Sequence, residues 1–543
     1  MGVLSDLEPK NVFRFFEEIT RIPHGSGNVE QISDYLADFA RERKLFYRQD
    51  ELKNIIIIKE ATPGYEQEPA VILQGHMDMV AVKKPDCPLD MKTQGLQAAV
   101  DGDRVYAEGT SLGGDDGIAV AYSLALLDSD SVRHPKLEVV ITVDEEVGMD
   151  GARGIDLSVL TGNRMINLDS EEEGIFLTSC AGGARVKCRL PLGGCQPEGG
   201  VGLAYRITVG GLLGGHSGGE IHKERGNSNC LFGRLLGRLC GKLPVRLASV
   251  QGGLADNAIP RETTGVVLIA DKDREAFASV LDTVEQEIRG ELSAKDPGFY
   301  IRAGECEAQG LACAGIQDTR RAAAFLCALP NGVQAMSADM PGLVETSLNL
   351  GILMYDGDTA DQSEISGEKA DTADEAEFST EKADMADEAE FSTEKADTAD
   401  EAEFSTEKAD TVLVADFSVR SSIESAKHAL IGKLQAVTEL AGGSITVTGD
   451  YPGWRFRKDS PLREKMVRLY REMYGKEPAV EAIHAGLECG ILGSKIPDLD
   501  CVSIGPDMQD IHTTEETLSI SSTARVWEYL VRLLETKDGA GEE

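Results

Sequence analysis

The chain has 543 residues, 41% apolar and 27% charged, a balance that supports a sizeable buried core and two to four domains at the usual ~100–200 residues each. Asp and Glu number 93 against 54 Lys and Arg, so the formal net charge is −39, which repels phosphate backbones and argues against a nucleic-acid partner. There is no run of about 18 apolar residues, so no membrane-spanning helix and no membrane partner are expected.

The start, Met1 to Asp6, lacks the basic and apolar regions of a signal peptide. Eleven cysteines without paired spacing read as reduced thiols, and the expected location is cytoplasmic. The spacing of Ile32, Tyr35, Leu36 and Phe39 predicts a helix over 28–44. Short apolar runs at 54–58, 70–74, 137–143 and 164–168 predict strands, and 117–127 reads as a buried helix opened by glycines. Strands alternating with helices indicate an α/β domain with a mostly parallel sheet. From about 186 to 453 the texture shifts to a β-α-β-β-α-β alternation, with strands at 204–209, 263–270 and 444–448. A helix at 462–474 and strands at 479–483 and 501–504 resume the first texture. The expected organisation is one α/β domain, 1–185 and 456–543, interrupted by an inserted α+β domain, 186–455.

One segment stands apart. Residues 368–380 read EKADTADEAEFST, 381–393 and 394–406 repeat it almost unchanged, and a fourth copy begins at Glu407. Thirteen residues turn a helix to a remainder of about 220°, so Phe378, Phe391 and Phe404 do not line one helical face. Residues 356–410 carry 21 acids and four Lys, a net of −17, leaving −22 for the rest. The expectation for 356–411 is a solvated insertion, disordered or loosely helical, with docking of a partner as the alternative.

Five places put isolated acids or histidines at the ends of apolar runs. His76 and Asp78 follow a strand, a spacing that suits a metal ligand and the group that orients it. Asp115 lies in Ser111-Leu112-Gly113-Gly114-Asp115-Asp116-Gly117, where a helix N-cap is the competing reading. Asp144, Glu145 and Glu146 close a buried strand, which is costly without a compensating cation. Asp169 ends the strand at 164–168, and Asp510-Ile511-His512 lies beyond the strand at 501–504. In an open α/β sheet the carboxyl ends of the strands line one crevice, so these sites are expected to converge. Two His and three carboxylates suit a pair of zinc or manganese ions.

The HMD, GGDDG, DEEVGM and NLDSEEEG elements, followed by GLLGGHSGGEIHKERGNSN, DNAIPRE, IHAGLECG and GPDMQDIHTTEE, resemble the aminoacyl-histidine dipeptidases of the aminoacylase and carboxypeptidase family of co-catalytic zinc peptidases. The resemblance runs from about residue 7 to 537 and omits the repeats. It implies a mostly parallel-sheet catalytic domain interrupted by an α+β lid, and hydrolysis of unblocked dipeptides, Xaa-His among them. It implies two divalent ions, zinc first and manganese or cobalt next, with Asp115 bridging, His76 and Asp169 on one ion, and Glu146 and His512 on the other. By the same resemblance Glu145 is the general base, Asp78 orients His76, and His216 stabilises the oxyanion. Asn257 and Arg420 are candidates for the substrate carboxylate and Glu488 for its α-amino group. A homodimer is compatible with the resemblance. Asp116 stands where the family usually has Asn, which adds a negative charge near the ions.

His134 and His428 read as solvent-facing, His24 as structural, and His222 and His484 as either supporting or contacting substrate. The cysteines, Cys489 included, read as packed residues without a nucleophile's neighbours. The alternatives are an amino-acid deacylase or broader dipeptidase of the same family and, from a different class, a catalytically silent scaffold that docks a partner through the acidic insertion.

Overall fold

The computed structural model describes residues 2–195, 202–308, 311–357 and 411–538; the acidic repeats lie outside the described residues. An eight-stranded sheet runs in the order Phe46–Gln49, Ile55–Lys59, Leu137–Thr142, Val71–His76, Arg164–Asn167, Asp500–Ser503, Ile175–Cys180, Ala479–Ile483. The three central pairings, made by Leu137–Thr142, Val71–His76, Arg164–Asn167 and Asp500–Ser503, are parallel. At one edge, Ile55–Lys59 pairs antiparallel with both of its neighbours, so the sheet is mixed.

Side-chain alternation explains why these strands read as unbroken apolar runs. Ile55, Ile57, Leu73, Val139 and Ile166 share one core with helices Lys10–Thr20, Gly114–Asp128 and Ile520–Glu535. Ile56, Ile72, Val140 and Met165 point the other way, to Leu487 and Ile491. A strand covered on both faces has no polar face to show. Helix Gly114–Asp128 is buried from Gly114 to Leu127, which is why its sequence is apolar all round. Gly75 lets it approach the sheet, since a Cβ there would collide with the Asp116 carboxylate and the Ala119 methyl.

Among the described residues of 182–451, nine strands build a second sheet, joined through antiparallel pairings. Helices Ser228–Cys240, Arg274–Leu292, Ile316–Ala328 and Glu424–Leu440 contribute Phe232, Val284, Phe325 and Leu434 to the core that covers one face. This unit is larger than a β-α-β-β-α-β pattern suggests. Strands Val344–Asp356 and Thr411–Ser421 pair from Thr346↔Ser421 to Met354↔Val414, so residues 358–410 join two adjacent strands. Among the described residues, no helix is long and apolar enough to cross a membrane.

The expected elements lie within a few residues of the observed ones. One expectation fails: His134 is fully buried rather than solvent-facing. Its backbone N–H donates to Thr62 Oγ1 at 2.9 Å, and its Nδ1 lies 2.7 Å from the Pro135 carbonyl oxygen. His428 is exposed, beside Glu424 and Asp450.

Candidate metal centre and active site

The central parallel strands end side by side, with His76 opposite Thr142 and Gln74 opposite Asn167. The loop leaving each strand carries acids: Asp78 after the first, Glu145 and Glu146 in a single 3-10 turn after the second, and Asp169 after the third. Gly113, in the left-handed region at φ +68°, turns the chain into helix Gly114–Asp128 and delivers Asp115 to the same place. His512 arrives from a turn beyond strand Met508–Gln509.

Asp115 lies at the centre. Its Oδ1 is 3.1 Å from His76 Nε2 and its Oδ2 is 3.1 Å from His512 Nε2. Asp169 Oδ1 stands 3.6 Å from His76 Nε2, and Glu146 Oε1 stands 3.0 Å from His512 Nε2. The two carboxylate oxygens of Asp115 thus face two different His–carboxylate pairs. Asp78 underpins both the first histidine and the Glu145–Glu146 turn. Its carbonyl oxygen lies 2.9 Å from His76 Nδ1, while its carboxylate accepts the Glu145 N–H at 3.1 Å, the Glu146 N–H at 3.4 Å and the Ser26 hydroxyl at 2.8 Å.

The electrostatics record a shortage of positive charge. Burial, then the charges of Asp115 and Glu146, outweigh His76 and lift Asp169 to about 7. Hydrogen bonds to Asp115 and Glu146 lift His512 to about 10. Burial works against a charged His76, but Asp115, Asp169 and Asp78 overcome it and raise its pKa well above the usual histidine range. Burial, then the charges of Asp169, Glu488 and Glu146, push Glu145 well up. Glu146 Oε1 is buried, with His512 Nε2 3.0 Å away. Protons are standing in for cations, and imidazole nitrogens with carboxylate oxygens are the donors that divalent transition metals take. The residues therefore fit a metal centre.

Asp116 carries less charge than its sequence position implies. It is fully buried, its Oδ2 accepts the His76 N–H at 3.1 Å, and burial beside Asp169 raises its pKa well above the usual carboxylate range. Nor does Asp115 cap its helix with its side chain: Glu516 accepts the N–H groups at that helix start. Glu488 opens helix Glu488–Lys495 and is fully buried. Its Oε2 accepts from Gln74 Nε2 at 2.6 Å and Thr142 Oγ1 at 2.5 Å, its Oε1 has no partner among the described residues, and burial lifts it to about 8.

His216, Asn257 and Arg420 form a second group on the nine-strand unit. His216 and Ala258 are partners in a short ladder, and the Ser217 N–H donates to the Asn257 carbonyl at 2.8 Å. The Arg420 charge acts on His216 and on His484, whose Nε2 lies 2.7 Å from Ser347 Oγ. Arg420 and Tyr451 flank the same strand position, both being register partners of Gly183, and the Arg420 charge works against the burial that raises the Tyr451 pKa. Beside Glu146 opens a cavity of about 590 Å³ lined by Met79, Met91 and Val147. His222 is exposed; His24 is buried with Nδ1 2.6 Å from the Ile22 carbonyl oxygen. In a third group, Glu424 and Asp450 lie beside both His428 and the Lys427 ammonium, which already supplies their countercharge.

Sequence reasoning missed Ser26, Gln74, Thr142, Tyr451 and Glu516. Gln74 had a signal, a polar side chain inside an apolar strand, and Glu516 sits in the TTEE run after His512. Tyr451 had none.

A mixed α/β fold that gathers histidines and carboxylates at the ends of its parallel strands is that of a metallopeptidase. The chain belongs to peptidase family M20/M25/M40, whose model matches residues 72–536. It is 33% identical over 534 residues to the cytosol non-specific dipeptidase of Escherichia coli (strain K12), covering 98% of this chain and 99% of that one. It is similar to the crystal structure of the aminoacylhistidine dipeptidase from Vibrio alginolyticus, with a TM-score of 0.84, 33% identity and 98% of each chain covered. Aminopeptidase PepT from Bacillus cereus shares the fold at a TM-score of 0.56 and 14% identity, with 97% of this chain and 98% of that one covered.

Proposed function

We propose that this protein is a metal-dependent dipeptidase that hydrolyses unblocked dipeptides, Xaa-His among them, with two divalent ions held by His76, Asp115, Glu146, Asp169 and His512. The observation that carries the reading is the division of Asp115, one oxygen toward His76 and Asp169, the other toward His512 and Glu146. A shared carboxylate between two such pairs suits two ions rather than one, with zinc the first choice and manganese or cobalt next. Bound there, the ions would lower the pKa of a water and polarise the substrate carbonyl.

The remaining chemistry belongs to the chain's own residues. Glu145 takes a proton from the attacking water and passes it to the leaving amine nitrogen; its raised pKa suits a group that must both accept and donate. Asp78 holds His76 at Nδ1 and fixes the Glu145 backbone. His216 is suited to donate to the oxyanion. Burial and Arg420 lower its pKa, so the ring is neutral, and its Nδ1 accepts the Gly219 N–H at 3.0 Å, which leaves the proton on Nε2. Arg420 offers a planar fork, and Asn257 an amide, to the substrate carboxylate. Glu488 Oε1, buried and without a partner among the described residues, is suited to the α-amino group. On this reading residues 1–185 and 456–543 form the catalytic unit and 186–455 a lid that brings His216, Asn257 and Arg420 to the substrate. Thiols such as those of the buried Cys180, Cys188, Cys240, Cys489 and Cys501, which form no disulfide, support a reducing, cytoplasmic setting.

The test is metal content together with a panel of Xaa-His, ordinary and N-acylated dipeptides, each supplied with Zn²⁺, Mn²⁺ or Co²⁺. Cleavage of free dipeptides is expected. Cleavage of N-acylated substrates alone would replace the dipeptidase reading with a deacylase.

A further inference from the structure

We propose that Glu516 is a positioning residue that sets the spacing between Asp115 and His512, and so the metal affinity of the site. The inference rests on the reading above that these two are ligands. Glu516 is only 3% exposed, and both its oxygens are engaged by one loop. Oε2 accepts the N–H groups of Leu112 at 2.8 Å and Gly113 at 3.1 Å; Oε1 accepts those of Gly114 at 2.8 Å and Asp115 at 3.4 Å. These amides stand at and just before the start of helix Gly114–Asp128, which has no side-chain cap of its own. First-turn amides otherwise lack partners, and a carboxylate there also meets the positive end of the helix dipole.

The other end of the clamp is the turn that carries His512. Thr513 Oγ1 donates to the Asp510 carbonyl at 2.6 Å, and the Glu516 N–H returns to the Thr513 carbonyl at 3.4 Å. His512 sits in the left-handed region at φ +61° and Asp510 at φ +52°, conformations that a non-glycine residue keeps only when its surroundings hold it. After the turn, Thr517–Ser519 is fixed by pairing with Arg104–Ala107. One carboxylate therefore ties the backbone of Asp115 to the turn of His512, although the two segments are about 400 positions apart. With the clamp in place, the ligands need little reordering when a cation arrives. Residues that orient ligands in this way are commonly worth about 10–100-fold in metal affinity.

The experiment is a titration of the full chain with Zn²⁺ against a chromophoric chelator, for the parent, E516Q, E516D and D115N. In E516Q an amide NH₂ faces two of the four donors, and zinc affinity is expected to fall about 10–100-fold, with excess zinc restoring most of kcat and KM unchanged. E516D keeps the charge but is one methylene short, and an intermediate loss is expected. If D115N weakens zinc binding while E516Q and E516D match the parent, the clamp is wrong and the metal centre stands. If D115N also binds zinc like the parent, the metal centre itself is wrong. Loss of the fold in both Glu516 variants would overturn the proposal too, because the carboxylate would then be needed for folding and not for ligand spacing.

Discussion

Asp115 and His512 are 397 residues apart, yet Oδ2 of one lies 3.1 Å from Nε2 of the other. The contact joins the start of a buried helix in the first part of the chain to a turn near its end. Several expected outcomes depend on that closure and on the acids around it.

Glu145 is the residue whose loss separates chemistry from binding. Glu145→Gln keeps the shape and leaves the five metal ligands untouched. Its kcat on a dipeptide is expected to fall about 10²–10⁴-fold while metal content per chain stays at the parent value. Near-normal turnover, or a variant that emerges free of metal, would remove Glu145 from its role as base.

The metal-free chain has a definite pH signature. Asp169 is lifted to about 7 by burial and by Asp115 and Glu146, and His512 to about 10 by Asp115 and Glu146. Folded, both groups hold protons that the unfolded chain has released, Asp169 above about 4 and His512 above about 6.5. Their contributions are thus present at low pH and lost as pH rises through the folded values. The melting temperature of the chelator-treated protein is expected to fall as pH is raised from about 6 to 9. Zinc needs these ligands deprotonated, so the increase in Tm on adding zinc is expected to grow across the same interval. Melts at three pH values, with and without zinc, check both trends.

The nine-strand residues divide between binding and turnover. Arg420→Lys keeps the charge but loses the fork, and KM is expected to rise about tenfold with kcat little changed. His216→Ala removes a donor to the oxyanion, and kcat is expected to fall about 10²–10³-fold with KM held. Steady-state kinetics on one dipeptide distinguish the two patterns, and an exchange of them would reverse the assignments.

The acidic repeats lie between strands that pair directly with each other, Val344–Asp356 and Thr411–Ser421. Deleting 368–406 leaves both strands whole, so the shortened chain is expected to fold and to keep nearly full turnover. A folded but inactive deletion variant would give the insertion a role in catalysis and favour the scaffold alternative.

The sequence by itself determined the strands, because period and apolar run length are local properties. Ile55 to Ile58 could only be a strand covered on both faces or a buried helix segment, and its length decided. It also placed an acid or histidine beside each strand end, since loop chemistry is written residue by residue. Tertiary structure decided the rest. His134 is buried by a turn built from Thr62, which no pattern around His134 announces. Glu516, from far along the chain, takes the amides at the helix start that Asp115 opens, and Arg420 and Tyr451 come near each other through sheet register, both opposite Gly183. Each of these depends on which distant segments pack together, and the free energy of that packing is shared across the whole core rather than encoded at the residues it brings into contact.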